Sequence, residues 1–268
     1  MNLLYIIRIM FVLLSMWVIS GNCYYNPLVN SFLNPEKLED ANPTALSGIA
    51  FALLSPQVVQ ITGQIVDANG FAASNGNLTI LTRTNPIEGL SNSFNLNTAG
   101  RFFIQLSTGE TRIRVEQSSV ELFSFTLNIN GPGNVSITNK SLAGPDILNI
   151  EFYPTGTTPS YFDIISTNPP NQDSFQTWPS TIQITFSEDL EIPSDLQSYL
   201  EANVFTEPSI TFAGSSIVNG NILEIGNSTG FQIGTNTYSI GRGIRSISGI
   251  GSSPRTISYT CDSPCNAP

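Results

Sequence analysis

Three cysteines and a run of carboxylates are the residues in this 268-residue chain whose types and spacing invite chemistry. Cys261 and Cys265 form a C-x-x-x-C near the C-terminal end. In an oxidising compartment such a pair forms a structural disulfide, and so short a loop contributes roughly 2 kcal/mol, mostly locally. Two other uses fit less well: a metal half-site, which has no His or second Cys pair to complete it, and a redox centre, which normally has C-x-x-C spacing. Glu188, Asp189, Glu191, Asp195, Glu201 and Glu207 follow one another with no basic residue between them. Clustered carboxylates can hold calcium, but the D-x-D-x-D-G spacing is absent and a solvated acidic edge is the ordinary outcome. Adjacent Glu188 and Asp189 would face opposite sides of a strand, a poor geometry for glycosidase work. The chain has no histidine, which removes the commonest general base and every Ser-His-Asp or Cys-His arrangement. The expectation is a protein that is not an enzyme, with no catalytic residue, no cofactor and no metal site.

The third thiol, Cys23, has a different setting. The first nineteen residues, MNLLYIIRIMFVLLSMWVI, carry one charge, Arg8, followed by eleven apolar or small residues. The run is short for a transmembrane helix and suits a secretory signal. Ser20-Gly21-Asn22 breaks it directly before Cys23. The arrangement resembles the lipobox of bacterial lipoproteins in the relaxed form of spirochaetes: Ile19 is the aliphatic residue, and Ser20 and Asn22 stand where Leu and Gly or Ala are usual. Tyr24-Tyr25-Asn26-Pro27 is similar to the start of mature lipoproteins in that group. The resemblance implies a signal peptide over 1–22 and acyl chains on Cys23, each buried methylene adding about 0.8 kcal/mol of membrane affinity. The competing reading is an ordinary signal peptide cut near Ser20, with Cys23 left as a stray thiol.

Charge narrows the partners. Arg8 is the only charged residue of the first 22, so beyond it nine basic groups face twenty acidic ones, a net charge of −11. That balance repels nucleic acid and gives no polybasic hold on an anionic membrane. Only two lysines occur, Lys37 and Lys140. Lys140 lies beside Asn139, and a Lys–Asn cross-link would require the lysine to be buried; a turn-like setting predicts that it is exposed.

The elements that must position these groups read as strands. Residues 23–56 form a tether interrupted by Pro27, Pro35, Pro43 and Pro56, with room for short helical turns around Glu36–Asp40 and Ala45–Leu54. From Val58 to about Tyr153 apolar residues alternate: Phe102, Ile104 and Leu106 share a face, as do Ile113 and Val115, and Phe123, Phe125, Leu127 and Ile129. Asp67–Gly70, Asn97–Gly100 and Ser107–Gly109 are turn formers, and about seven strands at this spacing make a β-sandwich. Gly131-Pro132-Gly133 and the later Pro154–Pro159 stretch mark the end of this module. Beyond it, Phe162–Ser166, Thr181–Phe186, Ile210–Phe212, Leu223–Ile225, Thr237–Ile240 and Thr256–Thr260 read as strands, with Asn219-Gly220 as the strongest hairpin cue. Trp178 reads as a core residue rather than a binding aromatic. The predicted fold is all-β: two tandem β-sandwich domains, over 57–158 and 159–268, after the signal peptide and tether.

Two resemblances refine this. ITGQIVDANGFAASNGNLTI followed by NLNTAGRFFIQLSTGETRIRV resembles the transthyretin-like, carboxypeptidase regulatory-like domain through Gly63, Val66, Asp67, Gly70, Thr98, Gly100 and Phe102. It covers roughly residues 58–130 and implies a structural or accessory unit without catalytic residues. STNPPNQDSFQTWPSTIQITFSEDL and TNTYSIGRGIRSISGIG resemble bacterial Ig-like domains of S-layer and envelope proteins through Phe186, Ser187, Leu190, Tyr238 and Gly249, with Ser246 in place of an Asp. Together these imply an outer-membrane lipoprotein held by its N-terminal lipid. The expectation is an interaction or adhesion module for a host, matrix or envelope protein, without nucleic acid. The alternative is a periplasm-facing scaffold or carbohydrate-binding accessory.

Overall fold

The computed structural model describes residues 56–266 apart from 132 and 229. Cys23, the signal segment, the tether and its two helical turns lie outside the described residues. Those described belong to one compact unit and are all-β, with a single short helix.

Eight strands surround the first core. β1 (Val58–Val66) lies between β4 (Arg101–Ser107) and β8 (Asp146–Phe152). A second sheet has the order β3 (Ser93–Asn95), β2 (Asn77–Arg83), β5 (Gly109–Gln117), β6 (Val120–Gly131), β7 (Asn134–Thr138). Both sheets are antiparallel throughout. The period-two pattern has the expected effect: Phe102, Ile104 and Leu106 meet Ile113, Val115, Phe123, Phe125 and Leu127 in a sandwich-like core with almost no exposure. Each such side chain contributes about 1.5–3 kcal/mol by leaving water. The turn at Ser107–Gly109 carries the chain from the first sheet to the second. Gly131 pairs with Asn134 across a return into β7, so this glycine-rich turn lies within the first core and does not end it. β8 then comes back to pair with β1.

Eight more strands and helix α1 (Leu196–Asn203) surround the second core. One sheet has the order β13 (Ile217–Asn219), β14 (Ile222–Gly226), β11 (Thr181–Phe186), β9 (Ile164–Asn168). The other has β10 (Ser174–Thr177), β16 (Arg255–Asn266), β15 (Gly234–Ile240), β12 (Val204–Glu207). Asn219-Gly220 makes the hairpin its sequence calls for: Asn219 pairs with Ile222, and Gly220 takes φ +59°. Ile210–Phe212 is not a strand; Phe212 makes one isolated bridge, to Asn227. The helix was not expected. Asp195 caps it, its carboxylate accepting the Ser198 N–H at 3.2 Å, and one buried residue, Leu200, ties it to the core. β10 and β16 form the one parallel pair among these strands.

Two turns read from sequence are built by side chains. Asp67 Oδ1 accepts from the backbone N–H groups of Asn69 (2.9 Å) and Phe71 (2.8 Å). Asn97 Oδ1 does the same for Ala99 (2.9 Å) and Arg101 (2.8 Å). Such local bonds close the turn without a ladder partner. Gly100, at φ +70°, completes the second turn, and a Cβ there would lie 2.6 Å from the Ile65 carbonyl oxygen and 2.9 Å from the Ala73 nitrogen. Both neighbours are backbone and cannot yield. Gly100→Ala is therefore expected to destabilise the fold by about 2–4 kcal/mol, from strain at positive φ plus overpacking; urea unfolding with an unchanged slope checks this.

Candidate functional site at the seam between the two cores

The turns at Asp67–Gly70 and Asn97–Gly100 also form the end of the first core that meets the second. Arg101 opens β4, and strand alternation sends it to the face opposite Phe102, the outer face of the β4-β1-β8 sheet. That face is covered. Phe103 packs against Tyr153 and Tyr161, with ring centroids 5.7 and 6.0 Å away. The segment between β8 and β9 thus runs back along the sheet instead of leaving it.

Under this cover Arg101 meets Asp163. Nε and Nη2 donate to the two carboxylate oxygens at 2.7 and 2.6 Å, a bidentate pair in which each residue is 1% exposed. Ser253 Oγ donates to Asp163 Oδ1 at 2.5 Å. The Tyr161 ring lies 3.7 Å from the guanidinium carbon, a cation–π contact. Gln64 Nε2 bridges the two cores, donating to the carbonyls of Ala99 (2.9 Å) and Ile164 (2.8 Å). Arg255 reaches the other way, with Nη1 donating to the Ile164 carbonyl at 3.1 Å and Nη2 to the Gly70 carbonyl. Burial lowers its pKa to about 10, against the charges of Tyr259, Asp163 and Asp67 that act to raise it, so it remains a cation at neutral pH. Backbone bonds from Ala72 N–H to Ile165 (2.7 Å) and from Asn171 N–H to Asn69 (3.1 Å) complete the seam.

Beside this seam opens a cleft of about 480 Å³, lined by Asn149 and Glu151 of β8, Tyr161, Arg242, Ser252 and Pro254. Burial, and then a hydrogen bond to Glu151, push the Tyr161 phenol above its ordinary pKa.

The residues singled out by sequence lie elsewhere. Cys261 and Cys265 are disulfide-bonded at the far end of β16. Phe175 of β10 pairs with Cys261 and Thr177 with Asn266, so the bridge spans a bulge whose tip, Asp262–Pro264, is exposed. Of the six carboxylates, Asp195 caps α1, Glu201 accepts from Gln197 at 2.7 Å, and Glu207 ends β12. Among the described residues no group of three His, Cys, Asp or Glu side chains is placed to hold a metal ion. Lys140 is only partly exposed, at 27%, and its Nζ lies 3.0 Å from Asp146 Oδ1. Trp178 is half-buried against Phe231.

Compared with known proteins, the chain matches no family model and no curated relative.

The seam was not anticipated. Arg101 and Asp163 are 62 positions apart, and nothing local to either announces the other. The one available signal is the N-T-A-G turn, which fixes where the next charged side chain points.

Two expectations follow from this geometry. Arg101→Ala strands the Asp163 carboxylate in a dry seam and should cost about 3–5 kcal/mol, whereas the paired replacement Arg101→Met with Asp163→Leu should recover most of that. Urea unfolding of the three proteins distinguishes a buried pair from a solvated one, for which both changes would be nearly silent. Replacing Cys261 and Cys265 together by Ser should cost about 2 kcal/mol for so short a loop, with the loss of hydrogen-exchange protection confined to β10 and the end of β16.

Proposed function

We propose that this chain is a lipid-anchored, non-catalytic display protein of a bacterial outer membrane. In this reading Cys23 carries the lipid and residues 23–56 the tether. The two cores are tandem β-sandwiches, carboxypeptidase regulatory-like over 57–158 and bacterial Ig-like over 159–268. Its work is interaction or adhesion, with a host or matrix protein as the partner.

The observation that carries this reading is the set of exposed loops at the end of the second core away from the seam. The described chain begins at the Val58 end of β1, and the seam lies at the Val66 end, eight steps or about 27 Å away. In the second core β16 runs from Arg255, at the seam, to Cys261, about 20 Å along the strand. β11 and β14 likewise run between Phe186 beside the seam and the Thr181–Gly226 pair at the tip. The tip gathers the disulfide bulge, exposed Ile233 and half-buried Trp178. Loops stapled by a disulfide at the end of the second core away from the seam suit presentation of a binding face.

Protease shaving of intact cells tests it. Native protein should be lost from the surface, and a Cys23→Ser variant should leave the detergent phase and appear in the soluble fraction. Complete protection in intact cells would favour the periplasm-facing accessory role instead, and a variant that stays membrane-bound would end the lipid claim.

A further inference from the structure

We infer that Asn219 is a modification site, at which the chain converts its own asparagine to aspartate and isoaspartate without an enzyme. The inference is independent of the anchoring and of the tip, and it starts from a dipeptide. In Asn-Gly the backbone nitrogen of the glycine can attack the side-chain carbonyl carbon of the asparagine and close a five-membered ring. Glycine has no Cβ to obstruct that approach. The sequence contains four such steps: Asn69-Gly70, Asn75-Gly76, Asn130-Gly131 and Asn219-Gly220.

The fold separates them. The attacking nitrogen must first give up its proton, so the state of the glycine N–H decides. Gly70 N–H donates to the Asp67 carbonyl at 3.0 Å and Gly76 N–H to the Ala73 carbonyl at 3.2 Å, and both glycines are buried. Gly131 is paired with Asn134 in the β6–β7 ladder. Gly220 instead opens the turn between Asn219 and Ile222, and among the described residues its N–H has no acceptor. Asn219 and Gly220 are both exposed, so water reaches the atoms that react. Gly220 N loses its proton to solvent and attacks Asn219 Cγ; the Cγ–Nδ2 bond breaks and ammonia leaves. Water then opens the succinimide. Opening at Cγ gives aspartate. Opening at the backbone carbonyl carbon gives isoaspartate, in which the main chain runs through Cβ and Cγ.

The second product has a structural consequence, because the turn is docked. The Gly220 carbonyl accepts the Leu190 N–H at 2.9 Å, and the Asn221 carbonyl accepts the Phe186 N–H at 2.8 Å. Asn221 Nδ2 returns a bond to the Phe186 carbonyl at 2.9 Å. These bonds fasten the β13–β14 hairpin to the stretch that leaves β11, where Leu190 bridges to Ser246. A short turn fixes the register of its hairpin, so the extra main-chain carbon of isoaspartate moves the Gly220 carbonyl away from Leu190. Aspartate keeps the backbone path and leaves that bond in place.

The test is peptide mapping by mass spectrometry of the full chain, purified in detergent and aged in mildly alkaline buffer, with isoaspartyl methyltransferase marking isoaspartate. Asn219 should convert about fivefold faster than Asn69 or Asn75, the factor expected of one hydrogen bond that those sites must first release. In urea all four steps should convert at comparable rates, because the ranking belongs to the fold. Hydrogen exchange should show Leu190 losing protection in the isoaspartate form and keeping it in an Asn219→Asp variant. The inference is overturned if Asn219 stays intact in the folded protein, if Asn69, Asn75 or Asn130 converts first, or if the same ranking persists in urea.

Discussion

A charge pair taken out of water at the junction of two cores is the constraint around which the rest of this molecule is arranged. Arg101 and Asp163 together gain a bidentate contact, but each loses a hydration shell whose replacement must be complete. The surroundings supply it: Ser253 and Thr62 bond to the pair, and Tyr161 lays its ring against the guanidinium. Such a site works in one relative placement of the two cores only. A modest shift would leave a carboxylate or a guanidinium in a dry space with nothing to satisfy it. Two sandwich-like cores joined by about ten residues would otherwise behave as beads on a string.

The need for cover explains the path of the chain between the cores. β1 is buried along eight of its nine residues, including Gln60, Thr62 and Gln64, which point away from the first core. Something other than a sheet must lie over them, and Tyr153 and Tyr161 on either side of Phe103 do so. The polar side chains beneath are then recruited into the seam: Gln64 holds a carbonyl from each side. Packing of the linker and docking of the cores are therefore one event, because the segment that hides the sheet also delivers Asp163 to Arg101.

Much of the fold was legible from alternation and turn chemistry, and the limits are equally physical. Phe102, Ile104 and Leu106 announced an inward face, and Asp67–Gly70, Asn97–Gly100 and Asn219-Gly220 announced reversals, because these signals act over a few residues. Phe212 shows where that range ends: an apolar pair at period two looked like a strand, yet no neighbouring backbone lay alongside beyond one bridge. Helix α1 escaped because its eight residues carry one buried side chain, too few for a period to register. The parallel pairing of β10 with β16 escaped because parallel partners lie far apart in sequence. Of the groups that matter at the seam, Arg101 directly precedes the inward-facing Phe102, and local alternation says only that it faces the other way. A linker from beyond β8 occupies that outward face.

The bulge in β8 lies beside the cleft that adjoins the seam. The extra residue opposite Gly63 puts Asn149 in the left-handed conformation, and Ile150 packs partly buried against the first core. Asn149, Ile150 and Glu151 all line the cleft beside the seam. Arg242 and Pro254 of the second core line the same cleft, and the charge pair, less tolerant of displacement than apolar packing, is one of the contacts that hold the two cores together. A polar site assembled from two cores needs such a lock, since hydrogen bonds weaken steeply with misalignment and a hinge would spread its donors over too many positions to select a ligand. The buried Arg101 guanidinium, held by Asp163, fixes the geometry of the residues around it.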